Sequence, residues 1–200
     1  MIRRSPYGDA GQAFPIYITV VAGLLFLAFA YLAVGQAAAN RNGAQTAADA
    51  AALAAAQDAR DQLAGKWVEV VLDPTKWQDI FDGNVPGLTP SCERAYELAA
   101  QNDAHVEACQ LTGLLAYEVD VETNEPVGDS IVPGTENKYA RASARAVIEP
   151  LCTFEVPGAG SGDDVLPRLT CKDNVDWDLD PDDLTILPEP EDLFDVHLAD

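Results

Sequence analysis

The chain has 200 residues, with 12 Lys+Arg against 33 Asp+Glu and a formal net charge of -21. That balance excludes a duplex-gripping role, because phosphate recognition needs a Lys/Arg surface, and no nucleic-acid partner is expected. Two histidines, His105 and His197, are too few for a three-His metal site and leave little for general-base chemistry.

Residues 1–12 form a short basic N-terminus with Arg3 and Arg4 opposed by Asp9. No charged residue occurs from Ala10 to Asn40, and the 23 residues from Ala13 to Gly35 are almost wholly apolar. About 20 such residues, at roughly 1.5 Å each, cross a ~30 Å hydrocarbon core. A buried soluble helix normally keeps a polar face over that length. A removable signal peptide has a shorter apolar core, roughly 7–15 residues, before a small-residue cleavage site such as Ala37–Ala39. Residues 13–35 therefore read as a retained transmembrane helix, with the lipid bilayer as its surroundings. The basic flank keeps the N-terminus cytoplasmic. Residues 41–200 carry 10 Lys+Arg and 32 Asp+Glu, a net of -22, and belong on the outer side.

From Ala37 to Ala64, 14 of 28 residues are alanine, the strongest helix former. The expectation is an alanine-rich helical extension over 36–64, with Gly35 and Gly43 as places where it could bend. Asn42, Gln45, Thr46 and Asp49 form one polar stripe, and most of the remaining surface is methyl groups. Ala44, Ala47, Ala48, Ala51, Ala52 and Ala55 form the expected helix-packing face, since small side chains allow close backbone approach. The alternatives are a partner helix on that face or a flexible stalk; the scarcity of long side chains favours the partner.

Several stretches resemble Tad-type (Flp) pilus-assembly proteins of the TadE/TadG kind. They are Gly8-Asp9-Ala10-Gly11-Gln12-Ala13, the unbroken span, and the run from Arg41 to Ala54 (RNGAQTAADAAALA). The resemblance covers roughly residues 8–60. It implies a single-pass, pseudopilin-like membrane protein of a pilus or related secretion apparatus. Pilins proper are cut after a Gly and carry a Glu five residues later. Counted from Gly11 that residue is Ile16, and the first Glu of the chain is Glu69. A retained, uncut accessory subunit is the version of the family that this chain fits.

Residues 65–162 read as a small exported α+β domain, a helix against a short antiparallel sheet. Asp73-Pro74 breaks the pattern after Trp67–Leu72. Cys92–Leu111 reads as a helix with Ser91 as its N-cap. Leu115–Val121 and Tyr139–Val147 alternate like strands, the second with Arg141, Ser143 and Arg145 on one face and alanines on the other. Pro133-Gly134 marks the turn between them, and Leu151–Val156 extends or follows the second strand. Pro157–Gly162 reads as a loop.

Four cysteines, Cys92, Cys109, Cys152 and Cys171, all follow the span, and an even number on the outer side reads as two disulfides. Three pairings are possible; Cys92–Cys109 with Cys152–Cys171 is favoured, since each joins neighbours along the chain. A zinc site is the rival, but no Cys-x-x-Cys is present. The segment 163–200 holds 13 Asp+Glu against Arg168 and Lys172. Asp176, Asp178, Asp180 and Asp182 alternate, but the sixth and twelfth positions counted from Asp176 are Pro181 and Leu187 where a calcium loop needs Gly and Glu. The acidic end is expected to be solvated, although Leu193, Phe194, Val196 and Leu198 suit docking on the domain or a partner.

No nucleophile elbow, phosphate loop or dinucleotide fingerprint occurs, so no enzyme activity, metal or cofactor is expected. The chain reads as a single-pass accessory component of a Tad/Flp-type pilus-assembly or secretion apparatus. It would act through helix packing and contacts with other membrane subunits. The competing reading is a membrane-tethered extracytoplasmic binding module for a cation, a wall component or a surface protein.

Overall fold

The computed structural model describes residues 13–126, 137–155 and 166–199. The basic N-terminus, the Gly8–Gln12 signature, Pro133-Gly134 and Pro157–Gly162 lie outside the described residues. Among the rest, the expected α+β architecture holds: a long apolar N-terminal helix followed by a small domain with a helix and antiparallel sheets.

Helix α1 (Ala13–Glu69) is a single element of 57 residues, about 85 Å at ~1.5 Å per residue. It runs through Gly35 and Gly43 without interruption, because the alanines on both sides hold a helix without help from packing. It ends where Asp73-Pro74 stops the pattern, and a short 3₁₀ turn, Pro74–Lys76, leads into α2 (Trp77–Phe81). Asp73 accepts from Lys76 and from the Thr75 hydroxyl at this turn. Those two contacts, Lys76 first, hold its carboxyl below the usual carboxylate range. The stability they contribute is present above the ordinary carboxylate value and is lost as the pH falls through the lowered one.

The stretch read as one helix from Cys92 to Leu111 is instead a helix and a strand. Helix α3 (Cys92–Gln101) ends at Asn102, Asp103 takes a left-handed φ of 55°, and β1 (Ala104–Leu111) follows. Local helix propensity in His105–Leu111 gives way to pairing with β2 (Ala116–Thr123), register Ala104↔Thr123 to Leu111↔Tyr117. Ser91 does not cap α3 with its side chain. Its buried hydroxyl accepts from Gln62 Nε2 at 3.1 Å instead.

Strand β3 (Arg141–Pro150) pairs antiparallel with β2, and β7 (Phe194–Leu198) pairs antiparallel with β3, giving the order β1-β2-β3-β7. The alternation is as expected: Ala144, Ala146 and Ile148 are buried and Arg141, Ser143 and Arg145 are exposed. On β2 the buried partners are Tyr117, Val119 and Val121. A second, three-stranded sheet of β4 (Cys152–Phe154), β5 (Leu169–Cys171) and β6 (Val175–Trp177) grows from the end of β3.

The acidic end is not a solvated tail over 166–199. It supplies β5 and β6, then α4 (Pro190–Leu193), then β7 at the edge of the main sheet. Glu189 and Asp192 form a reciprocal capping box at the start of α4. Leu193 and Phe194 are both 0% exposed, and Ala199 N–H donates to the Arg145 carbonyl at 2.8 Å. The apolar residues in this segment outweigh its charge because only the acids need to face water.

An aromatic cluster closes the end of the core where α1 stops. Trp67 stacks near Trp77 at 5.4 Å between ring centroids, Trp77 meets Phe154 edge-on at 5.2 Å, and Phe81 lies between Phe154 and Phe194. Trp77 Nε1–H is satisfied by the Val70 carbonyl at 3.2 Å. Truncating Phe194 to Ala should cost about 3–5 kcal/mol and strip hydrogen-exchange protection from the β7 amides. Ile186→Ala, at a side chain 74% exposed, should stay within about 0.5 kcal/mol. Equal losses in the two variants would contradict a docked β7.

Candidate assembly surface

Helix α1 changes character at Ala44. Before it, Phe14, Tyr17, Leu24, Phe26, Leu27, Leu32 and Val34 are each more than half exposed. No protein covers the most apolar window of this stretch. The span is long and apolar enough to cross a membrane. Among the described residues its one side-chain hydrogen bond before Gly35 is local, Thr19 Oγ1–H to the Pro15 carbonyl at 2.8 Å. A bilayer suits such a surface, because beyond its first turn the helix pairs its own backbone groups, and its large side chains are apolar but for the Tyr17 and Tyr31 hydroxyls towards the two ends.

From Ala44 onward the helix is the centre of the domain. Ala44, Ala47, Ala48, Ala51, Ala52 and Ala55 are all 0% exposed. The surface that meets them belongs to the chain itself, for α1 lies across β2, β3 and β7, with α3 alongside. The expected partner helix on this face is thus replaced by the chain's own sheet and α3. The physical reason is complementarity of size. Ala144 and Ala146 of β3 present small side chains to the small side chains of α1, and both surfaces lose their methyls from water at short range.

The polar stripe is the other half of this arrangement. Asn40 Nδ2 donates to the Glu125 carbonyl and Gln45 Nε2 to the Ser143 carbonyl, both at 3.4 Å. Further along, Gln62 Oε1 accepts from Thr89 N–H at 2.7 Å, and its amide nitrogen donates to Asp58 and to Ser91. Three amides of α1 therefore tie the residue after β2, strand β3 and the 83–91 loop to the helix. Gly83 in that loop has φ +72°, and a Cβ there would stand 2.7 Å from Leu115 Cδ2. The loop tucks in because the residue is glycine.

All four cysteines are paired: Cys92 with Cys109, joining α3 to β1, and Cys152 with Cys171, opposite each other on β4 and β5. Their sequence separations of 17 and 19 place the loop-entropy gain at about 3 kcal/mol each. In the acidic loop Arg168 bonds Asp178 through two nitrogens and lies 3.8 Å from Asp176. Asp178, foremost, raises the guanidinium pKa. Asp183 accepts from the Thr185 hydroxyl and backbone N–H, which hold its carboxyl low. These carboxylates are thus engaged by their own loop.

Two histidine–carboxylate groupings escaped the sequence reading, His105 with Glu107 and Glu122, and His197 with Glu149 and Asp195. The His-x-Glu alternation at 105–107 was the available signal. A helical reading of that stretch hides it, since only in a strand do alternate residues share a face.

The fold and these surfaces define a class: an α+β domain, cross-linked by disulfides, built directly onto a candidate membrane-spanning helix. Residues 11–58 match the Tad family model, Flp pilus-assembly TadE/G-like. No curated protein and no solved structure matches the chain. The matched segment takes in the exposed apolar stretch of α1 and its buried alanine face as far as residue 58, but not the last turns of the helix.

Because the alanine face is core, Leu at Ala47, Ala51 or Ala55 should overpack the domain by about 1–3 kcal/mol each. The check is the thermal midpoint of the full chain in detergent micelles, followed by near-UV circular dichroism. An unchanged midpoint for all three would mean the face is free, as a surface awaiting a partner would be.

Proposed function

We propose that the chain is a single-pass, pseudopilin-like accessory component of a Tad/Flp-type pilus-assembly or secretion apparatus. Its N-terminus is cytoplasmic, its domain from residue 36 onward extracytoplasmic, and its mechanism non-enzymatic. The observation that carries this reading is the division of α1. An uncovered apolar half available to lipid and to other membrane helices runs, without a hinge, into a half locked inside the domain. The TadE/G-like match over 11–58 supports the same reading. The flanking charges and the disulfides support the orientation, since cysteine pairs persist on the oxidising side.

In this role the surface that meets other subunits is residues 14–43, not the alanines beyond them. Helices in lipid associate through close packing at small residues. Gly23 and Gly35 have open space around them. The competing reading, a tethered binding module, draws on the net charge of -22 over residues 41–200, which suits cations or basic partners.

Intact mass of the protein extracted from its native membrane, alkylated without reduction, tests retention and oxidation together. An uncut chain with no alkylated thiol is expected. Loss of residues 1–11 would make it a processed pilin, and cleavage after Ala37–Ala39 would remove the membrane reading altogether. Gly35→Leu separates assembly from tethering. It should collapse the native-gel complex of the extracted protein while leaving the domain's melting midpoint unchanged. A complex that survives Gly35→Leu and Gly23→Leu alike would favour the tethered binder.

A further inference from the structure

We propose that His105, Glu107 and Glu122 form a binding site for a divalent transition metal of the zinc class on the outer face of the β1–β2 pair. This goes beyond the assembly reading and does not depend on it. His105 Nε2 lies 2.9 Å from Glu107 Oε1 and 4.0 Å from Glu122 Oε1, and the three ligand atoms fall within 4.8 Å of one another. A tetrahedral ion with bonds of about 2.0–2.2 Å separates neighbouring ligand atoms by roughly 3.3–3.6 Å. The 2.9 and 4.0 Å separations lie on either side of that range.

The surroundings orient the ligands as a metal requires. His105 Nδ1 lies 2.9 Å from Asn124 Oδ1, an acceptor, so a neutral ring carries its proton on Nδ1 and presents Nε2 to the two carboxylates. An imidazole lone pair facing carboxylate oxygens repels them unless a positive charge, a metal ion or a second proton, stands between. Arg141 bonds Glu122 through Oε2 and leaves Oε1 turned to the histidine. Metal-binding histidines and carboxylates are characteristically held by such outer hydrogen bonds.

Strand register contributes the third ligand. His105 and Glu122 are direct cross-strand partners. Between Val106↔Val121 and Ala108↔Asp120 the ladder shifts, and Glu107 is the extra residue of a β-bulge. Bulges re-aim a side chain while the strand continues. Here the shift lets Glu107 join His105 on the outer face and still returns Cys109 inward to its disulfide with Cys92. One imidazole nitrogen with two carboxylate oxygens suits zinc and its neighbours rather than calcium or magnesium, which take all-oxygen sets. Three protein ligands leave a coordination position open to water or to a group from another molecule.

The other grouping, His197 with Glu149 and Asp195, serves as the internal control. There Nδ1 itself faces Asp195 Oδ2 at 3.1 Å, and no hydrogen bond among the described residues holds the second nitrogen.

The test is a titration of the full-length chain in detergent micelles with Zn²⁺, disulfides intact and prior metal stripped by EDTA. One tight site per chain is expected. His105→Ala and Glu107→Gln should each weaken it at least about tenfold, and Asn124→Ala by about tenfold, the scale seen for outer-sphere partners. His197→Ala should stay within about twofold. Imidazole ¹⁵N resonances of the unaltered protein give a readout that needs no variant. Zn²⁺ should shift His105 Nε2 while Nδ1 stays protonated, and Mg²⁺ at the same concentration should not. Affinity unchanged in His105→Ala, or a His105 resonance that answers to pH but not to Zn²⁺, would overturn the proposal. The arrangement would then be an imidazolium–carboxylate pair only.

Discussion

The contact on which the rest of the structure depends is the close meeting of two small-residue surfaces, the Ala44–Ala55 face of α1 and the inner face of β3. Alanine methyls bring little apolar area each, at roughly 25 cal/mol per Å² removed from water. What they offer is approach. The small residues let the helix approach the strand closely, and the larger inward residues of the sheet, Tyr117, Val119, Val121 and Ile148, are buried in the same core. Such an interface tolerates no added volume, and its stability has to be completed at its margins.

Those margins hold the largest fully buried side chains, Trp67, Trp77 and Phe194. At the end of α1 the Trp67, Trp77, Phe81, Phe154 and Phe194 rings form one connected group drawn from four elements, α1, α2, β4 and β7. Along the side, Gln62 bonds the 83–91 loop as a strand would, with Thr89 N–H donating and Ser91 accepting. The disulfides hold the two places where short elements meet, α3 with β1 and β4 with β5. Since the same helix forms the apolar stretch before residue 44 and the core after it, any rotation or displacement of the span moves the domain as one body.

Much of this was legible from composition and period. The apolar stretch, the helix-forming alanines, the β2 and β3 alternation and the α+β character follow from signals contained in one segment at a time. What was not legible depends on which segments meet. Cys92–Leu111 carries a helix-like composition throughout, and only the β2 strand beside it decides that His105–Leu111 is extended. The acidic end reads as solvated when its charge is counted. It becomes β5, β6 and β7 because Leu169, Leu193 and Phe194 find pockets supplied by residues far away in the chain. The grouping at His105 is legible only in part: Glu107 is its neighbour in sequence, but Glu122 and Asn124 come to it through strand pairing.

The alanine face shows the limit most clearly. A run of small residues states that something approaches closely; it carries no information on what approaches. A neighbouring subunit's helix and the chain's own β3 make the same demand on residues 44–55, and composition cannot separate them. Discrimination comes from the surface left over. Once the domain has covered the alanines, the exposed residues of α1 between 45 and 61 are the polar Gln45, Thr46, Gln57 and Asp61, which suit water. The uncovered apolar surface of α1 is therefore the stretch before Ala44. The assembly role proposed above therefore calls on that stretch of α1 for its contacts, and not on the alanines already buried in the domain.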